Sequence, residues 1–162
     1  MPKVYLLLGS NLGDRQNLLA EARKQIGLQI GLIQKTSALY ETAAWGVEDQ
    51  EAFLNQVLEV ETVLPPEALL TRNQEIEKGL GRIRKERWGA RLLDIDILFY
   101  DDLILESDNL TIPHPQLHNR RFTLVPLAEI ASGLVHPVFK KTVSALLEFC
   151  PDKLEVKKFG DL

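Results

Sequence analysis

Leu92-Leu93-Asp94-Ile95-Asp96-Ile97-Leu98-Phe99-Tyr100 is an apolar run interrupted by two aspartates. Its composition predicts a strand over 93–100, in which alternation puts Asp94 and Asp96 on one face and Ile95, Ile97 and Phe99 on the other. Three more strands are predicted upstream. Val4 to Leu8 is a short apolar stretch that stops at Gly9, Gln34 to Thr42 is extended, and Phe53 to Glu61 alternates Leu54, Leu58 and Val60 against Asn55, Glu59 and Glu61. Between the first two, Asp14 suits the N-cap of a helix whose Leu18, Leu19, Ala22 and Ile26 share a face. Pro65-Pro66 suits the first turn of a second helix with Leu69, Asn73, Ile76 and Leu80 at helical spacing, ended by Gly79 and Gly81. Further helices are predicted around Leu124 to Ile130 and Val143 to Phe149. The order β-α-β-β-α-β is ferredoxin-like. The expected fold is therefore α+β, a single domain over 1–162. An antiparallel sheet carries helices on one side, with C-terminal additions.

A chain of 162 residues can support its own core. Its net charge of −4 gives no general attraction to nucleic acid. The apolar N-terminal run is too short for a signal peptide, and no stretch approaches the length of a membrane span. The lone Cys150 can form no internal disulfide. These features predict a cytoplasmic protein. No apolar stripe is left over, so the expected state is a monomer.

The aspartate pair carries the chemistry. Carboxylates ~7 Å apart on one strand face repel by about 2 kcal/mol at an effective dielectric of ~20. A hard divalent cation between them, Mg²⁺ above all, relieves that strain, whereas a solvated face would merely tolerate it. Directly upstream, Arg82, Arg84, Lys85, Arg87 and Arg91 crowd together with Glu86 the only acid among them. Guanidinium groups bind phosphate bidentately, and carboxylate-bound Mg²⁺ bridges the same oxygens. Basic loop and acidic strand together point to a nucleoside triphosphate site. Gly79, Gly81 and Gly89 would let that loop close over a ligand. On residues alone, a nucleotidyl transferase or cyclase of similar topology stays open.

The segment Arg87-Trp88-Gly89-Ala90-Arg91-Leu92-Leu93-Asp94-Ile95-Asp96-Ile97-Leu98 resembles the signature of the 6-hydroxymethyl-7,8-dihydropterin pyrophosphokinases of folate biosynthesis. Ordered matches accompany it: Leu8 to Gly13, Tyr40 to Thr42, Asp49-Gln50, Phe53 to Asn55, Gln74 with Glu77, Ile112 to Pro115, and Asn119 to Phe122. The resemblance implies diphosphate transfer from ATP, the co-substrate, to the pterin hydroxymethyl group, giving AMP. It implies that Asp94 and Asp96 hold two Mg²⁺ ions and that Arg84 and Arg91 join them in catalysis. Gln74, Glu77, Arg84, Trp88, Arg91, Ile97, Thr111, His114 and Arg120 would contact ATP. Thr42, Trp45, Phe53, Asn55, Trp88 and Phe122 would contact the pterin. Those residue types suit a flat bicycle with an amide-like edge, since aromatic rings cover its faces and an amide reads the edge. The expected partners are small molecules alone, with no nucleic acid and no membrane. Ala43 and Ala44 depart from the proline common in the family, Trp45 from a smaller apolar residue, and Asn109 from a basic one. His118 and His136 have no motif support and are expected to be structural.

Overall fold

The computed structural model of the protein describes residues 1–11, 13–42, 52–81 and 93–160. Eight strands appear in chain order, beginning with β1 (Lys3–Ser10), β2 (Gly31–Thr36), β3 (Tyr40–Thr42) and β4 (Phe53–Thr62). They continue with β5 (Asp94–Tyr100), β6 (Leu105–Glu106), β7 (Thr111–Ile112) and β8 (Val156–Lys158). The helices are α1 (Arg15–Gln29), α2 (Pro66–Gly81), α3 (Arg121–Ala131) and α4 (Val143–Glu148), with a 3-10 turn at Leu117–Asn119. The main sheet is antiparallel in the order β5-β1-β4-β3-β8, and β2 also pairs with β4. β6 and β7 form a separate hairpin.

Alternation along β1 sorts the core into two layers. Val4, Leu6 and Leu8 pack with Leu54, Leu58, Ile95 and Ile97 beneath α1 and α2, where Leu18, Leu19, Ala22, Ile26, Leu69, Ile76 and Leu80 close the layer. Tyr5, Leu7 and Val57 face the other way, against Leu124 and Leu127 of α3 and Val143 and Leu146 of α4. The expectation of helices on one side is thereby corrected. It holds for α1 and α2, but the C-terminal helices cover the opposite face because β1 is apolar on both faces and β4 adds Val57 to the second.

Two further expectations change for local reasons. The second strand, expected over Gln34 to Thr42, is two pieces. At Ser37 the side-chain Oγ takes the Val57 N–H (3.0 Å) and the Ser37 carbonyl accepts from Gln56 Nε2 (2.7 Å), which displaces the regular ladder. In β5 the register jumps from Leu6↔Ile97 to Tyr5↔Phe99, leaving Leu98 as the extra residue of a bulge. Phe99 therefore leaves the face of Ile95 and Ile97 and joins Leu98 in the α3–α4 layer, while Tyr100 turns to the α1–α2 layer.

The first helix forms as its cap requires. Asp14 accepts from the Asn17 N–H (3.2 Å), and the four expected apolar residues are the buried ones. On α2, Asn73 is fully buried, and among the described residues neither its amide nitrogen nor its amide oxygen has a hydrogen-bond partner. An unsatisfied buried amide costs about 1–3 kcal/mol. Asn73→Leu is therefore expected to stabilise the fold by about 1–2 kcal/mol, read as a rise of a few degrees in Tm. A lowered Tm would contradict this. Among the described residues, no helix is long and apolar enough to cross a membrane.

His136 is buried, stacked on Phe139 (4.4 Å between centroids) and edge-on to Phe99. Its Nδ1 accepts the Val138 and Phe139 N–H groups, and burial together with nearby His118 pushes its pKa down. The ring is a neutral structural element of the C-terminal layer.

Candidate active site

A cavity of about 190 Å³ opens at one end of the α3-bearing sheet face, lined by Leu7, Gly9, Thr42, Phe53, Asn55, Asp94, Asp96, Arg120, Phe122 and Leu154. Its floor follows from register. Gly9 pairs with Asn55 on one side and Asp94 on the other, and Leu7 pairs with Asp96. Paired residues project to the same face, so Asn55, Gly9 and Asp94 form one row across three strands. With strands ~4.8 Å apart, the Asn55 and Asp94 backbones stand about 10 Å apart on either side of the glycine. Gly9 makes room for the Asn55 amide, which leans over β1: a Cβ at this position would lie 2.7 Å from Asn55 Oδ1.

Both aspartates are half-buried at this cavity, while Ile95 and Ile97 between and beside them sink into the α1–α2 core. Thr42 is 3% exposed, yet among the described residues its Oγ1 has no hydrogen-bond partner. A buried hydroxyl left unpaired at a cavity wall is a group positioned for a ligand. Phe53 and Thr42, the last pair of the β3–β4 ladder, form one wall. Arg120 and Phe122, at the start of α3, form another, with the Arg120 guanidinium 5.7 Å from the Phe122 ring centroid.

A second group lies along the outer edge of β5, which among the described residues has a sheet neighbour on one side only. Glu77 Oε2 accepts the Ile95 N–H (2.7 Å), and the His114 N–H donates to the Leu98 carbonyl (3.0 Å). Thr111 sits in β7, which packs beside β5. The Ile97 side chain is 5% exposed in the core, so only its backbone could meet a ligand. Gln74 is exposed on α2, three residues before Glu77. Burial, and then the Arg120 cation, lower the His114 pKa to about 4, so the ring is neutral at pH 7. Its Nδ1 accepts the Gln116 N–H (3.1 Å), which leaves Nε2 as the protonated donor.

Among the expected site residues, Trp45, Arg84, Trp88 and Arg91 lie outside the described residues, as does the remainder of the basic loop from Arg82 to Gly89. So do Ala43 and Ala44. Gly9, Leu7 and Leu154 were not singled out from the sequence. For Gly9 a signal existed, an apolar strand ending in glycine, but its partner across the sheet was not readable. Leu154 is brought in by Asp152, whose carboxylate accepts the Arg121 N–H (3.0 Å) and the Leu154 N–H (2.9 Å).

An antiparallel α+β sheet whose cavity is lined by an amide, two phenylalanines and a carboxylate pair is suited to a flat, polar small molecule. A family model described as 7,8-dihydro-6-hydroxymethylpterin-pyrophosphokinase (HPPK) matches residues 5–132. The chain belongs to this family. It is similar to the 2-amino-4-hydroxy-6-hydroxymethyldihydropteridine pyrophosphokinase of Aquifex aeolicus, 42% identical over 152 residues, which are 94% of this chain and 92% of that one. The protein of the same name from Haemophilus influenzae is 41% identical over 155 residues, 95% of this chain and 97% of that one. Among solved structures, the Plasmodium falciparum HPPK-DHPS superposes with a TM-score of 0.71 at 19% identity, a likeness of fold. It covers 91% of this chain, which spans 43% of that longer one.

Proposed function

We propose that this chain, acting as one domain, transfers diphosphate from ATP to 6-hydroxymethyl-7,8-dihydropterin in folate synthesis, releasing AMP. The hydroxymethyl oxygen attacks the β-phosphorus, the bond from that phosphorus to the α-phosphate bridging oxygen breaks, and the hydroxyl proton passes to solvent. Family membership supports the reaction, and one observation carries its placement here: the row Asn55, Gly9, Asp94 across three strands. A bicyclic ring lying against this row would meet the Asn55 amide at its edge and direct its hydroxymethyl group towards the carboxylates.

In this reading Phe53 and Phe122 cover the ring and Thr42 Oγ1 and Asn55 pair its polar edge. Asp94 and Asp96 fit two Mg²⁺ ions. Among the described residues no cluster of three or more metal-ligating side chains exists, and Mg²⁺ characteristically takes one or two carboxylates, with phosphate and water filling the rest of its shell. When bound, the metal would neutralise phosphate charge. The edge of β5 suits the nucleotide, with Glu77, Thr111, the Ile97 backbone and Gln74 along it. Neutral His114 would donate from Nε2 to a phosphate, and Arg120 would bring the positive charge. Arg84 and Arg91 are assigned to the phosphates, Trp88 to both substrates and Trp45 to the pterin, on the resemblance alone. No side chain is assigned as general base, since phosphoryl transfer depends chiefly on positioning and charge stabilisation. The strand order β5-β1-β4 with β2 and β3 beside β4, α1 and α2 on one face, is read as ferredoxin-like with α3, α4 and β8 added. The reading is of a cytoplasmic monomer whose partners are its two substrates.

Incubation with ATP, Mg²⁺ and the reduced pterin is expected to yield AMP and pterin diphosphate in equal amounts. A cyclic nucleotide, a nucleotidyl adduct, or AMP without the pterin product would contradict the proposal.

A further inference from the structure

We infer that Arg15 is a positioning residue for the pterin wall, although it lies on α1 and does not line the cavity. The β3–β4 ladder is three pairs long: Tyr40↔Asn55, Glu41↔Leu54 and Thr42↔Phe53. Its last pair supplies two cavity residues, β8 backs β3 there through Thr42↔Val156, and a tie between β3 and the start of β4 further fixes their spacing. Arg15 supplies that tie from outside the sheet. Its Nη1 donates to the Ala52 carbonyl (2.6 Å), immediately before Phe53, and to Glu41 Oε2 (3.0 Å), immediately before Thr42. One guanidinium therefore grips both strands next to the residues that face the ligand.

The grip is itself fixed. Arg15 follows the capping Asp14, and its side chain is 15% exposed against 36% for Glu41. Its guanidinium carbon stands 5.5 Å from the centroid of the Phe159 ring, and the Phe159 N–H donates to the Leu39 carbonyl (2.8 Å) just before β3. A planar cation with several donors can make these contacts together, whereas a point charge on a flexible stem cannot hold all three. Arg15 meets the α1–α2 core at its margin, through Phe159. Removing it changes the separation and tilt of Thr42 and Phe53.

This inference rests on the assignment of the pterin to the cavity. Arg15→Ala is expected to raise the KM for the pterin about tenfold while the KM for ATP stays within about twofold, since misplacing one wall weakens one substrate. Arg15→Lys, which keeps a charge and a donor, should recover part of the loss. A merely structural role would lower the amount of active enzyme and leave both KM values alone. Should Arg15→Ala not fold, Glu41→Gln, which weakens the grip from its other end, carries the same test with a smaller shift. Asn55→Ala runs beside them. A pterin KM raised in Asn55→Ala but unchanged in the Arg15 and Glu41 variants overturns the inference about Arg15. A pterin KM unchanged in all of them overturns the cavity assignment and the inference with it.

Discussion

Asp94→Asn and Asp96→Asn are each expected to lower kcat about 10³-fold while leaving Tm within a few degrees of the parent. Carboxylate and carboxamide are nearly isosteric, so packing at the half-buried positions changes little. The charge does change. A factor of 10³ corresponds to about 4 kcal/mol of transition-state stabilisation, within the several kcal/mol that a bound divalent ion supplies to phosphoryl transfer. The two aspartates are rigidly based, since Ile95 and Ile97 anchor the same strand in the α1–α2 core and Glu77 holds the Ile95 N–H. Neither variant can therefore relax by moving the strand. Steady-state assay at saturating ATP and pterin checks the effect, and loss of less than about tenfold in either variant would contradict it.

Asn55→Ala is expected to lower kcat/KM for the pterin about 30-fold, with the KM for ATP unchanged. The amide is 4% exposed and stands in the wall opposite the aspartates. Two hydrogen bonds to a flat heterocycle at about 1 kcal/mol each account for that factor. Gly9 raises the stakes at this position. With no Cβ beneath it, Asn55 Oδ1 lies over the neighbouring strand. Pterin titration at fixed ATP reads the effect directly, and equal losses for both substrates would place Asn55 in the scaffold instead.

What the sequence discloses and what it hides follow the range of the interactions. Asp14 as a cap, the buried face of α1 and the span of β4 depend on neighbours within a few residues, and all were legible. The aspartate pair was legible too, because alternation acts at i and i+2. The bulge at Leu98 was not, since it is set by the register with β1, a strand nearly a hundred residues away. Ser37 replacing a ladder hydrogen bond was equally hidden, as was β8, whose three residues become a strand only by pairing with β3. The C-terminal helices covering the second sheet face could have been suspected from β1, where Tyr5 and Leu7 are as apolar as their neighbours. Leu154 reaches the cavity through Asp152 and α3, a contact with no sequence pattern.

The most direct test of the account is a titration with Mn²⁺, in place of Mg²⁺, in the presence of a non-hydrolysable ATP analogue and the pterin. Ions are counted by electron paramagnetic resonance in the parent protein and in the Asp94→Asn/Asp96→Asn double variant. The account predicts two bound ions in the parent and loss of tight binding in the double variant. Two ions held as tightly without the carboxylates would contradict it.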